Sequence, residues 1–147
     1  MIRNEEGFTM AEALITLSGF LVIVTISITL MNPLLSVVNR ENFFTLLKAD
    51  LYYAQLYALS HQREQSIIIT GETNRYYIND SRYALDLLVY RTYPADIAVK
   101  PGTMPLTFNF LPDGNISRFG TIIVHAYGDF YRITFQLGRG RFYVADE

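Results

Sequence analysis

The sequence predicts an α+β fold, in which a long N-terminal helix packs on one or two antiparallel β-sheets. Three observations carry this. Ala13–Asn39 holds no charged residue. Phe44, Leu47, Leu51, Ala54 and Ala58 then recur at helical spacing. From Ser66 onward the chain reads as short Ile-, Val-, Tyr- and Phe-rich runs separated by turn signals.

Ala13–Met31 alone is 19 uncharged residues, about 28 Å of helix at ~1.5 Å per residue, enough to cross a hydrocarbon core of ~30 Å. It is apolar on all sides except for Thr16, Ser18, Thr25, Ser27 and Thr29, whose hydroxyls can bond back to their own helix carbonyls. A cleaved secretory signal fits poorly. The head "MIRNEE" has one arginine against two glutamates, the run is too long, and no small-residue cleavage site follows it. Pro33 should loosen the helix locally. Beyond it, Arg40, Lys48, Gln55 and Gln62 fall off the apolar stripe, and "SHQREQS" marks the helix end. The strands predicted next are "SIIIT", "RYYIND", "LDLLVY", "DIAV", "LTFNFL", "TIIVHAY", "YRITFQL" and "RFYVA". Asp113-Gly114 and Gly138-Arg139-Gly140 read as hairpin turns whose glycines supply positive φ.

Composition narrows the function. With 12 basic and 14 acidic residues the chain carries a net charge of −2, so no global field captures nucleic acid. Between Ala98 and Ala145, however, Lys100, Arg118, Arg132, Arg139 and Arg141 face only Asp113 and Asp129. The absence of cysteine removes disulfides, thiolate metal sites and a cysteine nucleophile. Of the two histidines, His61 reads as a helix-end cap and His125 as a packing or surface residue on a strand. No phosphate loop, zinc-protease or serine-hydrolase motif occurs. The expectation is a protein without catalytic residues, metal or cofactor.

One residue needs an explanation of its own. Glu12 stands at the head of the apolar run, and a carboxylate at the bilayer centre costs about 2.5–3.5 kcal/mol on insertion scales. It either sits at interfacial depth or acquires a partner. The segment "EGFTMAEALITL" resembles the processing site of type IV prepilins and pseudopilins. These carry a short leader ending in Gly, then an aromatic or apolar residue, Thr or Ser, two apolar residues and Glu. The resemblance implies a leader over residues 1–7 with Gly7 last, and a mature chain starting at an N-methylated Phe8. It further implies a transmembrane and assembly helix over 8–39, an amphipathic helix over 40–63 and a β-rich pilin domain over 64–147. Met10 and Ala11 depart from the Leu and branched residues common at those places. Glu12 of one subunit would then meet the Phe8 ammonium of its neighbour.

The ending "FNFLPDGNISRFGTIIVHAYGDFYRITFQLGRGRFYV" resembles that of GspH- and FimT-type minor pseudopilins. Within them it is most similar to the ComGD-like minor pilins of Gram-positive competence systems. The resemblance implies a minor pilin of a machine that takes up DNA in transformation, or a pseudopilin of a type II secretion-like system. Its partners would be other major and minor pilins, a prepilin peptidase, an assembly ATPase with its platform protein, and the membrane. The chain would cross that membrane once, with its C-terminal domain outside and assembled into a surface pilus. Two readings stay open for Arg139 and Arg141: charges that keep a sheet edge soluble, or phosphate contacts to DNA at a basic hairpin.

Overall fold

The computed structural model describes residues 9–136, 138 and 140–146, with the side chains of 32, 33 and 83–86 excepted. Gly7, Phe8 and Arg139 lie outside the described residues. The chain divides into two compact units at Val38/Asn39.

The first element is one helix, α1 (Met10–His61). Thr9 opens it: the Glu12 amide donates to Thr9 Oγ1 at 3.3 Å and the Ala13 amide to Thr9 O at 3.1 Å. Pro33 lies inside the helix rather than ending it. All five hydroxyls of Ala13–Met31 donate to carbonyls one turn back, from Thr16 to Glu12 O at 3.0 Å through Thr29 to Thr25 O at 2.9 Å. The run therefore exposes almost no unbonded polar hydrogen. By length and composition α1 can cross a membrane, with a mean hydropathy of 2.3 over its most apolar window. At the other end Gln62 takes φ 54°, and the Arg63 amide closes on Ala58 O at 3.2 Å, a left-handed cap built without glycine.

The second unit contains residues 39–61 of α1 and eight strands. β1 (Gln65–Thr70), β2 (Arg75–Asp80), β3 (Tyr83–Thr92) and β5 (Thr107–Phe110) form one antiparallel sheet in the order β3-β2-β1-β5. β4 (Ile97–Pro101), β6 (Gly120–Ala126), β7 (Asp129–Phe135) and β8 (Phe142–Asp146) form the other, in the order β4-β6-β7-β8. All eight predicted strands are present, as two sheets. A two-residue turn with φ 54° at Tyr127 and 99° at Gly128 joins β6 to β7, the mirror-image geometry that suits twisted hairpins.

Phe44, Leu47, Leu51, Ala54 and Ala58 are all buried, and Phe43 joins them. Phe43 meets Tyr93 at a centroid distance of 5.1 Å, and Phe44 meets Tyr131 at 4.9 Å. Phe108 and Phe135 join the two sheets at 5.0 Å. Each fully buried aliphatic side chain contributes about 1.5–3 kcal/mol relative to exposure, so this stripe holds helix and sheets together.

Candidate functional site

Glu12 is solvent-exposed in the first turn of α1. Its backbone completes a Thr-x-x-Glu start, so it also sits where the helix dipole favours an anion. The "TMAE" spacing carried that signal, and the sequence reading passed over it. Gly7 and Phe8, its expected companions, fall outside the described residues.

The C-terminal hairpin is described on both sides of its tip. Phe135 pairs with Phe142, and the Gln136 amide donates to Arg141 O at 2.8 Å. Gly138 and Gly140 have φ of 92° and 56°, as the turn requires. Gly140 is buried: a Cβ there would stand 2.6 Å from Gln55 Nε2 and 2.7 Å from Gly114 O. Gln55 Nε2 itself donates to Gly114 O at 2.8 Å. The hairpin therefore tucks one glycine, Gly140, against the helix and the neighbouring turn. Arg141 is exposed, immediately ahead of β8. The neighbouring turn is fixed by Asp113, which accepts from the Asn115 amide at 2.9 Å and its side chain at 2.7 Å. Those bonds hold the Asp113 carboxyl below its ordinary pKa.

One polar cluster escaped the sequence reading. Asp50 is 7% exposed. Its Oδ2 accepts from Tyr76 Oη at 2.7 Å and from Arg91 Nε at 3.1 Å, while Oδ1 accepts from Arg91 Nη2 at 3.4 Å. Burial first, then the adjacent carboxylate, pushes the Tyr76 phenol far above its ordinary pKa. The Asp50 bonds likewise raise the Arg91 guanidinium. A carboxylate flanked this way has no open side for a reactant, so the cluster fastens α1 to β2 and β3. Three residues after Leu47 and one before Leu51, Asp50 is a charge set into the buried stripe. That placement was the available signal.

The histidines behave as packing groups. His61 stacks on Tyr57 at 3.9 Å with Nδ1 3.2 Å from Tyr57 O, and His125 stacks on Phe130 at 4.5 Å. Among the described residues no three His, Cys, Asp or Glu side chains come together to hold a metal.

No family model matches the chain. It is 25% identical over 140 residues to the competence protein ComGD of Bacillus subtilis (strain 168), covering 95% of this chain and 93% of that protein. The chain is ComGD-like. Its structure superposes on the minor pseudopilin EpsH from the type 2 secretion system of Vibrio cholerae with a TM-score of 0.55. That match has 13% sequence identity and covers 69% of this chain and 92% of the other, which establishes a pilin-like fold and nothing finer. The single apolar N-terminal helix fits a single-pass membrane anchor. Neither relative is described by a catalytic activity.

Proposed function

We propose that this protein is a minor pilin of a type IV pilus-like competence machine that takes up DNA in transformation. The observation that carries the reading is end-to-end likeness to a competence protein, joined to an exposed Glu12 at the head of an apolar helix. In this reading the chain enters the membrane through its apolar segment, with the two-sheet unit on the outer side. A prepilin peptidase cuts after Gly7, and Phe8 becomes the N-methylated first residue. An assembly ATPase and its platform protein then draw the subunit into a filament with sister pilins. Glu12 accepts the Phe8 ammonium of a neighbour, which offsets the cost of taking its charge into lipid. Arg139 and Arg141 are the proposed DNA contacts of the hairpin. A secretion pseudopilin is the second reading, supported by the fold shared with EpsH.

Mass spectrometry of the N-terminus, on protein from native membranes, tests the first step. Wild type should begin at Phe8, and Gly7→Leu should retain Met1. Glu12→Ala should still insert but be lost from sheared filaments, and deletion of the gene should abolish transformation. Recovery of Met1 from wild-type cells that have the peptidase would refute the pilin reading. Filaments that accept Glu12→Ala would leave Glu12 with only its helix-start role. Transformation that survives deletion while export fails would favour the secretion machine.

A further inference from the structure

The first sheet changes register between β2 and β3. Ile78 lies opposite Val89 and Asn79 opposite Leu87, so Leu88 has no counterpart on β2. Such a bulge bends its strand, and bulges gather beside functional sites because they re-aim side chains. At this one lies a cavity of about 100 Å³. Among the described residues it is lined by Tyr57 from α1, Gln65 at the start of β1, Asp80 at the end of β2, and Leu87 and Leu88. The register sets Gln65 directly opposite Asp80. Gln65 is 0% exposed, and neither its Nε2 nor its Oε1 has a hydrogen-bond partner. Asn79 is buried as well, with its Oδ1 unpartnered.

A buried amide that forgoes both of its bonds weakens the fold, and an apolar side chain of the same shape would pack there at less cost. Binding sites carry costs of this kind. The lining narrows what would satisfy the amide. The charge of Asp80 is already matched: Arg63 Nη1 stands 3.4 Å from its Oδ2, and the Arg82 amide donates to its Oδ1 at 2.9 Å. The cavity therefore does not call for an ion. A carboxylate would accept from Gln65 Nε2 and offer nothing to Oε1, and an ammonium or guanidinium would do the reverse. A carboxamide carries a donor and an acceptor side by side and can close a pair of N–H···O bonds with the Gln65 side chain. At ~30 Å³ per water molecule, the cavity has room for a group the size of acetamide, and Leu87 and Leu88 supply an apolar wall for its carbon.

From this we infer that the cavity at the β3 bulge is a binding site for a small neutral carboxamide. Gln65 makes the paired hydrogen bonds. The group is the side chain of an Asn or Gln on a partner protein or a free primary amide, since both present the same atoms. The inference goes beyond the pilin reading, and no step of it uses Gly7, Glu12 or the membrane.

The full chain, uniformly labelled with ¹⁵N in detergent micelles, would be titrated with acetamide and followed by NMR. The Gln65 side-chain signal, identified by its loss in Gln65→Leu, should shift saturably at about millimolar acetamide, the affinity open to so small a ligand. The backbone amides of Leu87 and Leu88 should shift with it. Acetate and guanidinium at matched ionic strength should bind at least about tenfold more weakly, because each leaves one Gln65 atom unpaired. Gln65→Leu should keep the wild-type circular dichroism, melt at the same or a higher temperature, and lose the shifts at Leu87 and Leu88. Shifts that grow without saturating, equal binding of the two ions, or a lower melting temperature in Gln65→Leu would each overturn the proposal. A photo-crosslinking phenylalanine analogue at the exposed Tyr90 separates the two sources in native membranes. A crosslink to one partner that acetamide competes away and Gln65→Leu abolishes assigns the site to a partner's side chain. Absence of such a crosslink, with acetamide still bound by the purified chain, assigns it to a free amide.

Discussion

The two halves of α1 share a helix and differ in what surrounds them. In the first, Leu14, Ile15, Phe20 and Ile23 are more than half exposed in the isolated chain, and the hydroxyls of Thr16, Ser18, Thr25, Ser27 and Thr29 turn back on their own backbone. In the second, a stripe of comparable apolar residues is sealed under two sheets, and the polar groups reach outward to other elements. Arg40 reaches Asp129 at 3.0 Å, Asp50 reaches Tyr76 and Arg91, and Gln55 reaches Gly114. Internal satisfaction of polar groups suits a helix whose solvent is lipid. Outward hydrogen bonds suit one that organises a water-soluble fold.

The sharpest way to break this contrast is a matched pair of truncations. Leu51→Ala, at 1% exposure, should destabilise the two-sheet unit by about 2–5 kcal/mol. Ile15→Ala, at 71% exposure, should leave it unchanged. Urea unfolding in micelles, followed by near-ultraviolet circular dichroism of the tyrosines, would measure both. Equal effects would erase the distinction between the halves.

Next in size is the buried carboxylate. Asp50→Asn keeps the shape but removes the charge from the bonds to Tyr76 and Arg91, and should cost about 1.5–3 kcal/mol. The same region sets an alkaline limit. Burial pushes the Tyr93 phenol up to about 12 and the Tyr76 phenol higher still. In the unfolded chain both titrate near 10. Their contribution is complete below about pH 10, and is lost as pH climbs from there through the folded values. Tyr93→Phe should flatten part of that loss between about pH 10 and 12, read as the pH dependence of the urea midpoint. An unchanged alkaline slope would show that Tyr93 is not responsible.

The smallest effect sharpens the hairpin geometry. Gly140→Ala places a Cβ against Gln55 Nε2 at 2.6 Å, in a left-handed backbone with φ 56°. It should cost about 1–2 kcal/mol from the backbone conformation alone. Gly128→Ala, with a positive φ but nothing within 4 Å of its Cβ, isolates that backbone cost, and thermal melts of the two variants would separate strain from crowding.

How much was legible follows from where the information lies. The strands could be read because each short β-branched and aromatic run is bounded by its own turn residues. Their division into sheets could not: the chain leaves the first sheet for β4 and then returns with β5 to pair with β1, Gln65 opposite Phe110. That is a long-range choice that no local pattern encodes. The buried stripe was visible through its spacing, but Asp50 within it was read past because its partners lie on β2 and β3. Glu12 stood out by its offset into the apolar run. The Arg139–Arg141 turn misled in one respect, since glycine spacing predicts a hairpin but not that Gly140 is pressed beneath Gln55.

The staggered fastenings of the helix also have a mechanical meaning. Arg40, Asp50 and Gln55 bind strand β7, strands β2 and β3, and the turn after β5, respectively. At ~1.5 Å per residue these points span about 22 Å of helix. A pull along the helix axis loads all three at once, in shear, together with the buried stripe; none can be peeled before the others. Rupture then requires the simultaneous failure of several bonds, so the rate of forced unfolding stays low at loads that would unzip a helix held at one end. A subunit built this way can be hauled by its helix without losing its sheets.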